Sequence, residues 1–362
     1  PHKSTRLYFG SQRLWRSNDR GDSWEAVSSD LTRNRNRYEL EMMGRVWSVD
    51  ALYDNGAMSR YGTITTISES RIVEGLIYVG TDDGHIQVTE DGGNSWRVAV
   101  LPNVPEFSFV NDIQASFHHS DKVFVAIDAH KIGDFTPYLF ESSDRGLTWH
   151  SVAGNLPEGE IVWSLEQDHV APDLLFVGAE FGLYFSPDRG GEWVKLSGGV
   201  PTISFRDVEV SRREDDLVGA SFGRGFYILD DYSSLREIQD GALEKNEVLF
   251  PVRDAWWYVP SVPMQARGKP TLGSDDFTAP NPPFGALITY YLREARTTDK
   301  EKRLREEQVL REKGENIPFP GWERLTDEAI EMKPKVFITV RDLEGRAVRR
   351  LVGPASPGIH RI

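Results

Sequence analysis

The sequence predicts an all-β fold, in which consecutive four-stranded blades of a β-propeller are followed by a second β domain. Three observations predict it. A four-position pattern, S/T-x-D-x-G-x-x-W, occurs four times in the first two thirds of the chain. Pairs of short apolar runs precede each occurrence, at the spacing of a propeller blade. The composition, with 32 Gly, 20 Pro and 10 Trp but no Cys in 362 residues, suits tight turns covered by aromatic rings and offers no thiol chemistry.

The pattern occupies Ser17 to Trp24, Thr89 to Trp96, Ser142 to Trp149 and Ser186 to Trp193. Its aspartates are spaced 91 − 19 = 72, 144 − 91 = 53 and 188 − 144 = 44 residues apart, so the base period is near forty-five and the excess lies in insertions. Before each pattern come two β-like runs: Leu7 to Phe9 with Leu14-Trp15, Leu76 to Val79 with Ile86 to Val88, Val123 to Val125 with Tyr138 to Phe140, and Leu174 to Val177 with Leu183 to Phe185. A fifth pair, Leu217 to Ala220 and Gly225 to Leu229, is followed by Asp230-Asp231-Tyr232 instead of the pattern. An alternating strand precedes blades two to five, at Thr63 to Ile67, Asp112 to Ser116, Val162 to Gln167 and Asp207 to Val210. With the strand that starts at each Trp, a blade has four strands.

Each residue type in the pattern has a physical task. Glycine supplies positive φ for a tight turn between the third and fourth strands. The Asp carboxylate accepts backbone N–H groups within that turn, with the Ser or Thr hydroxyl adding another bond. The indole covers the hairpin and packs into the sheet stack. Asp19, Gly21 and Trp24, then Asp91, Gly93 and Trp96, Asp144, Gly146 and Trp149, and Asp188, Gly190 and Trp193 are therefore assigned a structural role.

These four segments resemble the Asp-box, or bacterial neuraminidase repeat, of sialidases, other glycosidases, sortilin-type receptors and photosystem assembly factors. Tyr78 to Gly84, Phe176 to Gly182 and Phe222 to Asp231 extend the resemblance to a bacterial group described as sortilin-like or glycosyl-hydrolase-like. It implies a propeller fold and an exported protein, periplasmic, cell-surface or extracellular, although Pro1 to Arg6 does not read as a signal peptide. The repeat serves enzymes and receptors alike, so it does not set the activity.

The first blade starts at Leu7 without an inner strand, and family members carry further blades upstream. The chain is accordingly expected to be a fragment, or to receive its missing blades from another polypeptide or copy. Blades are assigned to 1–237 and a second domain to 248–362. In that domain Val248 to Val259 and Gly285 to Leu292 read as strands, 293–333 as a charged insertion with Lys300 to Lys313 helical, and Val336 to Val340 and Val348 to Leu351 as strands flanking the turn Asp342 to Gly345. The turn, the Val348-Arg349-Arg350-Leu351 strand and Gly358 to Ile362 resemble immunoglobulin-like or fibronectin-like sandwich modules, with the carboxyl end cut in mid-strand.

A formal charge of −14 argues against non-specific nucleic-acid binding, and the apolar runs are too short for a membrane-spanning helix. Chemistry is expected on the loops joining strands two and three, which carry Asp82, Asp83, Asp128, His130, Lys131, Asp134, Glu180 and Arg224. Asp128, His130 and Asp134 suit acid–base work or a divalent metal, Asp82 and Asp83 could offer oxygens to calcium, and Glu180 with Arg224 an anionic or glycan contact or a mutual pair. No cofactor is required by these residues; a divalent cation such as calcium is the one candidate. His118 and His119 read as solvated. The loop Leu31 to Tyr61 carries Arg33, Arg35, Arg37, Arg45 and Arg60, with Trp47, Tyr53 and Tyr61, but no set of three arginines stands out as a carboxylate grip. Two functions follow: a non-catalytic binding or assembly module taking protein, peptide or glycan at the propeller mouth, or a glycoside hydrolase or lyase using Asp82, Asp83, Asp134 or Glu180 there.

Overall fold

In the computed structural model, the described residues are 1–41, 43–48, 62–238, 241–255, 257, 259 and 284–362. The chain divides into two compact units, Pro1–Arg236 and Glu237–Ile362.

The first unit is a succession of antiparallel blades. Blade one holds β1 (Leu7–Gly10), β2 (Leu14–Ser17) and β3 (Glu25–Ala26); blade two holds β4 (Ile64–Glu69), β5 (Ile77–Thr81), β6 (Ile86–Thr89) and β7 (Arg97–Ala99). Blade three is β8 (Phe109–Ala115), β9 (Val123–Ala129), β10 (Asp134–Ser142) and β11 (His150–Ser151). Blade four is β12 (Val162–Gln167), β13 (Leu175–Ala179), β14 (Gly182–Ser186) and β15 (Val194–Lys195), and blade five is β16 (Phe205–Ser211), β17 (Asp216–Ser221) and β18 (Gly225–Leu229). Within each blade the strands pair in chain order, so every blade is an up-and-down meander and the protein is all-β propeller in class.

Apolar side chains join successive blades. Blades two and three share a core around Tyr78, Val88, Val125 and Phe140, and blades three and four one around Phe124, Leu139, Val177 and Tyr184. β5, β9 and β13 are therefore buried on both faces, which explains their unbroken apolar runs.

The inner strands β4, β8, β12 and β16 pack side by side in chain order. Polar side chains of one inner strand receive backbone N–H groups of the next. Thr66 Oγ1 accepts from Ile113 N (3.2 Å), Ser68 Oγ from Ala115 N (2.9 Å), Asp112 Oδ2 from Leu165 N (2.9 Å), and Ser164 Oγ from Val208 N (3.3 Å). This is why the inner strands alternate: one set of positions is polar because it closes backbone bonds between blades.

The four S/T-x-D-x-G-x-x-W turns share one hydrogen-bond set. The first hydroxyl donates to the Asp carboxylate at 2.7–2.8 Å and accepts from the Gly amide at 2.7–2.9 Å. The same carboxylate accepts from the amides of Ser23, Ser95, Thr148 and Glu192 at 2.8–2.9 Å. Two consecutive residues have positive φ: Arg20 with Gly21, Gly92 with Gly93, Arg145 with Gly146, and Arg189 with Gly190. Sequence reasoning assigned positive φ to the glycine alone. The arginine amides bond to carbonyls outside the turn, Arg20 N to Thr5 O at 2.9 Å, Arg145 N to Asp121 O at 2.8 Å and Arg189 N to Asp173 O at 2.8 Å, which offsets the strain.

The Ser23, Ser95 and Thr148 hydroxyl and amide bonds hold Asp19, Asp91 and Asp144 at about 2. A folded value below the unfolded one means stability is present above the unfolded pKa and is lost as pH falls from about 4 towards 2. Acid unfolding followed by circular dichroism is expected to shift to higher pH in Asp144→Asn; an unchanged midpoint would remove this turn from the acid response.

The indoles differ in burial for a reason set by their neighbours. Trp96 Nε1 donates to Val27 O of blade one (3.2 Å) and Trp193 Nε1 to Val152 O of blade three (2.9 Å), each covering the preceding blade. Trp193 is 4% exposed, whereas Trp24 is 43% exposed, beside Phe9 at 60% and Leu7 at 45%. No described strand packs on that face of blade one.

Blade five ends in a different anchor. Asp168, fully buried, takes two bonds from the Arg236 guanidinium at 2.9 Å and one from the Tyr232 hydroxyl, and Arg236 also reaches Asp215 at 2.7 Å. Tyr232, which follows the position where the pattern is missing, packs edge-on against Phe176.

The second unit contains a sheet of β19 (Glu247–Leu249), β20 (Thr289–Leu292) and a later strand, Gly358–Arg361, with β20 central. Between them lie α1 (Asp299–Glu312), α2 (Trp322–Ile330) and the hairpin β21 (Val336–Arg341) with β22 (Ala347–Gly353); Gly358–Arg361 is β23. α1 opens with a capping box, Thr298 with Glu301. Two differences from the sequence reading stand out. The run from Val248 is a strand only to Leu249, with Trp256 and Tyr258 outside the described residues, and the charged insertion carries a second helix. That helix is tied to α1 by Arg303, which is hydrogen-bonded to Glu328 at 2.7 Å and Glu307 at 2.6 Å.

Candidate functional site

The loops after the middle strands and the starts of the inner strands meet at one end of the blades. Contacts on Trp163 bring blades three, four and five together there. The His130 ring meets Trp163 edge-on at 5.8 Å, and Trp163 Nε1 donates to Glu180 Oε2 at 2.9 Å. The Arg206 guanidinium lies over Trp163 at 3.5 Å and beside exposed Phe222 at 5.3 Å. Lys131 Nζ lies over Phe109 at 4.7 Å. This mouth is built from cations on aromatic faces, a surface suited to recognition.

Of the residues expected to act here, the structure brings His130 and Glu180 onto Trp163. Asp128 is buried beneath His130, whose Nδ1 and backbone N (3.1 Å) bond Asp128 Oδ1. A carboxylate can only accept, so Nδ1 carries the hydrogen and Nε2 is the acceptor of the neutral ring. Asp134 accepts from the Tyr138 hydroxyl at 2.7 Å and Thr136 N at 3.0 Å, which hold its pKa below the usual carboxylate range. Glu180 has Arg206 at 4.0 Å as its cation; Arg224 is exposed on the β17–β18 turn.

Asp82 and Asp83 are drawn into a different task. Asp82 Oδ1 accepts from Thr63 N at 2.7 Å, and burial raises its pKa. Asp83 is fully buried; it accepts from Thr81 Oγ1 at 2.6 Å and from Arg33 N at 2.8 Å, while its carbonyl takes Arg33 Nε at 2.8 Å. Together these residues anchor the start of the long loop, where Leu31 and Thr32 are buried. Arg33 and Arg35 both lie over Phe107, at 4.6 and 4.9 Å, and Arg45 over Trp47 at 3.8 Å. Tyr53, Arg60 and Tyr61 lie outside the described residues. His118 also departs from expectation: it is half-buried, with Nε2 bonded to Asp168 O at 2.8 Å.

A second feature went unnoticed in the sequence. The inner strands line a cleft of about 340 Å³ whose walls carry Glu69, Asp112, Glu166, Asp207 and Glu209, with Arg71 and Arg212. Burial, then the charge of Asp207, pushes Asp112 up to about 6; burial, then Glu209, pushes Glu166 up to about 8. The available signal was the alternation of inner strands, which puts Asp112 and Gln114, Ser164 and Glu166, and Asp207 and Glu209 on one face each. Among the described residues, no group of three or more His, Asp or Glu is arranged to hold a metal ion, and no helix is long and apolar enough to cross a membrane.

Fold and site thus define a β-propeller-class chain with an aromatic, cationic mouth above an acidic inner cleft. No family model matches the chain. It is 28% identical over 158 residues to the vacuolar protein sorting/targeting protein 10 of Arthroderma gypseum, and 28% identical over 161 residues to that of Arthroderma benhamiae, 40% of this chain in each case. The chain spans about 10% of the length of these curated relatives. Among solved structures it is similar to an ancestral GH74 enzyme (13% identity, 81% of this chain and 35% of that one, TM-score 0.46). Others are the GH74 xyloglucanase from Xanthomonas campestris (18%, 63% and 35%, TM-score 0.44) and the extracellular domain of a one component system from B. thetaiotaomicron (14%, 62% and 26%, TM-score 0.42).

Proposed function

We propose that the chain is a non-catalytic binding and assembly module of an exported protein, taking a protein, peptide or glycan at the propeller mouth. The observation that carries this reading is the state of the mouth's carboxylates. Asp82, Asp83, Asp134 and Glu180, the candidates for glycoside chemistry, are all engaged in hydrogen bonds within the protein, while exposed Arg206 and Phe222, seated beside the buried Trp163, form a ready contact surface. The likeness to a sorting and targeting protein supports the same reading and a place in an export or secretory route. In it the four turns are Asp-boxes, supported by their common hydrogen-bond set. The second unit is read as an immunoglobulin-like sandwich carrying the two helices, a reading supported by its antiparallel sheet and hairpin.

The assembly part rests on the apolar face of Leu7, Phe9 and Trp24, whose counterparts in blade two, Ile77 and Val79, are fully buried against blade one. A further blade or a protein partner covers it in this reading.

Peptide and glycan arrays probed with the wild type and Arg206→Ala test the mouth. Loss of Arg206 is expected to weaken an array hit by about ten-fold, in line with a ligand contact of roughly 1–2 kcal/mol, with only a small drop in thermal unfolding from the lost stacking on Trp163. Equal binding by the variant would overturn the mouth as the site. Turnover of aryl glycosides by the wild type, abolished in Glu180→Gln, would replace the reading by a hydrolase.

A further inference from the structure

We propose that the inner cleft binds a primary ammonium group, supplied by a free polyamine or by a lysine side chain of a partner, with Glu166 as the principal acceptor. This goes beyond the mouth and does not depend on it.

Charge balance is the first argument. Five carboxylates line the cleft against the Pro1 nitrogen and two guanidiniums, and both guanidiniums, Arg71 and Arg212, lie over the same Phe117 ring, at 4.8 and 4.5 Å. Glu69 has other partners, Arg6 at 3.9 Å and the Pro1 nitrogen at 3.6 Å. Asp112, Glu166, Asp207 and Glu209 remain as acids gathered from three adjacent inner strands.

Unmet hydrogen bonding is the second, independent argument. Glu166 is 4% exposed, lines the cleft, and receives one hydrogen bond, from Gln114 to Oε2; Oε1 is buried without a partner. Ser164 presents its hydroxyl at 3.3 Å to both Asp112 and Asp207. A hydroxyl has one proton, so one of those two carboxylates always lacks that donor. Asp112 and Asp207 each keep a backbone donor, from Leu165 N and Val208 N, so the buried acceptor that calls for a donor and compensating charge together is Glu166 Oε1.

An ammonium supplies both. It offers three rotatable donors around a compact charge and tolerates acceptors spread over neighbouring strands. A divalent metal instead needs a tight set of oxygens, and among the described residues no such group exists. A volume of about 340 Å³ suits a linear alkylamine.

A proton competes for the same acceptor. With burial and Glu209 raising Glu166 to about 8, the empty cleft holds a proton near neutrality that the incoming cation must expel. The groups facing Glu166 are Glu209 and Asp112, which raise it, and Gln114 and Arg212, which lower it; Asp207, Arg71, Glu69 and the Pro1 nitrogen are the other charged groups of the walls. Affinity is therefore expected to rise with pH until the ligand amine itself begins to deprotonate.

The test is calorimetric titration of the full chain with spermidine and, separately, with trilysine at 0.15 M salt, in two buffers of different ionisation enthalpy. Saturable binding with proton release is expected, weakened at least ten-fold in Glu166→Gln and retained in Arg206→Ala. Binding of spermidine alone identifies a free amine as the source, and of trilysine alone a protein side chain. Glu209→Gln serves as the second variant should Glu166→Gln not fold, and is expected to lower the proton release. Absence of saturable binding by either probe, or equal affinity in Glu166→Gln, overturns the proposal. So does displacement of the probe by equimolar magnesium.

Discussion

Gly190→Ala is expected to destabilise the first unit by about 3 kcal/mol or more, enough to unfold a marginally stable chain. Gly190 has φ of +87°, and a Cβ there would lie 2.3 Å from Val152 O and 2.7 Å from Val152 Cβ. Backbone strain in the left-handed region contributes about 1 kcal/mol. The clash adds more, because the obstacle is backbone of the neighbouring blade and cannot swing aside, and because the same segment seats Trp193. Gly223→Ala is the control: φ is +80° but no atom lies within 4 Å of the added Cβ. It is expected to cost only the strain. Urea unfolding of the two variants side by side gives the comparison; equal losses would show that strain, and not contact between blades, governs these glycines.

The second large effect is expected for Asp168→Ala, about 3 to 5 kcal/mol, the range for breaking a buried ion pair by removing one partner. Arg236 would keep Asp215 but lose its bidentate partner, and the Tyr232 hydroxyl and the amides of Val170 and Ala171 would lose their acceptor. Burial acts to raise the Asp168 pKa, but the bonds from Arg236 and Tyr232 outweigh it and hold the carboxyl low. A depressed folded value contributes stability above the unfolded pKa and loses it on acidification, so the penalty of the variant is expected to shrink below about pH 4. Asp168→Asn keeps the shape and loses the charge. If both variants unfold at the wild-type denaturant concentration, the anchor of blade five lies elsewhere.

How far the sequence carried can be followed residue by residue. The turns were legible because their bonds are local: Ser142, Asp144, Gly146 and Thr148 lie within seven residues, and the pattern that makes them is written contiguously. Blade count and strand order followed from the same repeat. The second positive φ at Arg20, Arg145 and Arg189 was not legible, because the amide bonds that offset its strain reach carbonyls outside the turn. Asp82, Asp83, His130, Lys131, Glu180 and Arg224 lie between the strands expected to flank them, whereas Asp128 belongs to the end of β9 and Asp134 opens β10. Their roles were not legible. Asp83 looked free to bind a ligand and instead holds Arg33, fifty residues away; Glu180 lies against Trp163 and Arg206 of neighbouring inner strands; and Tyr232 anchors on Asp168.

By itself, the sequence determined the β-propeller class and the position of each tight turn, because those depend on local backbone chemistry repeated along the chain. Tertiary structure alone decided which acids are spoken for and which are left wanting a partner. Burial and charge pairing depend on what the adjacent blade brings, and Asp112, Glu166, Asp207 and Glu209 become one acidic cleft only when three inner strands lie side by side.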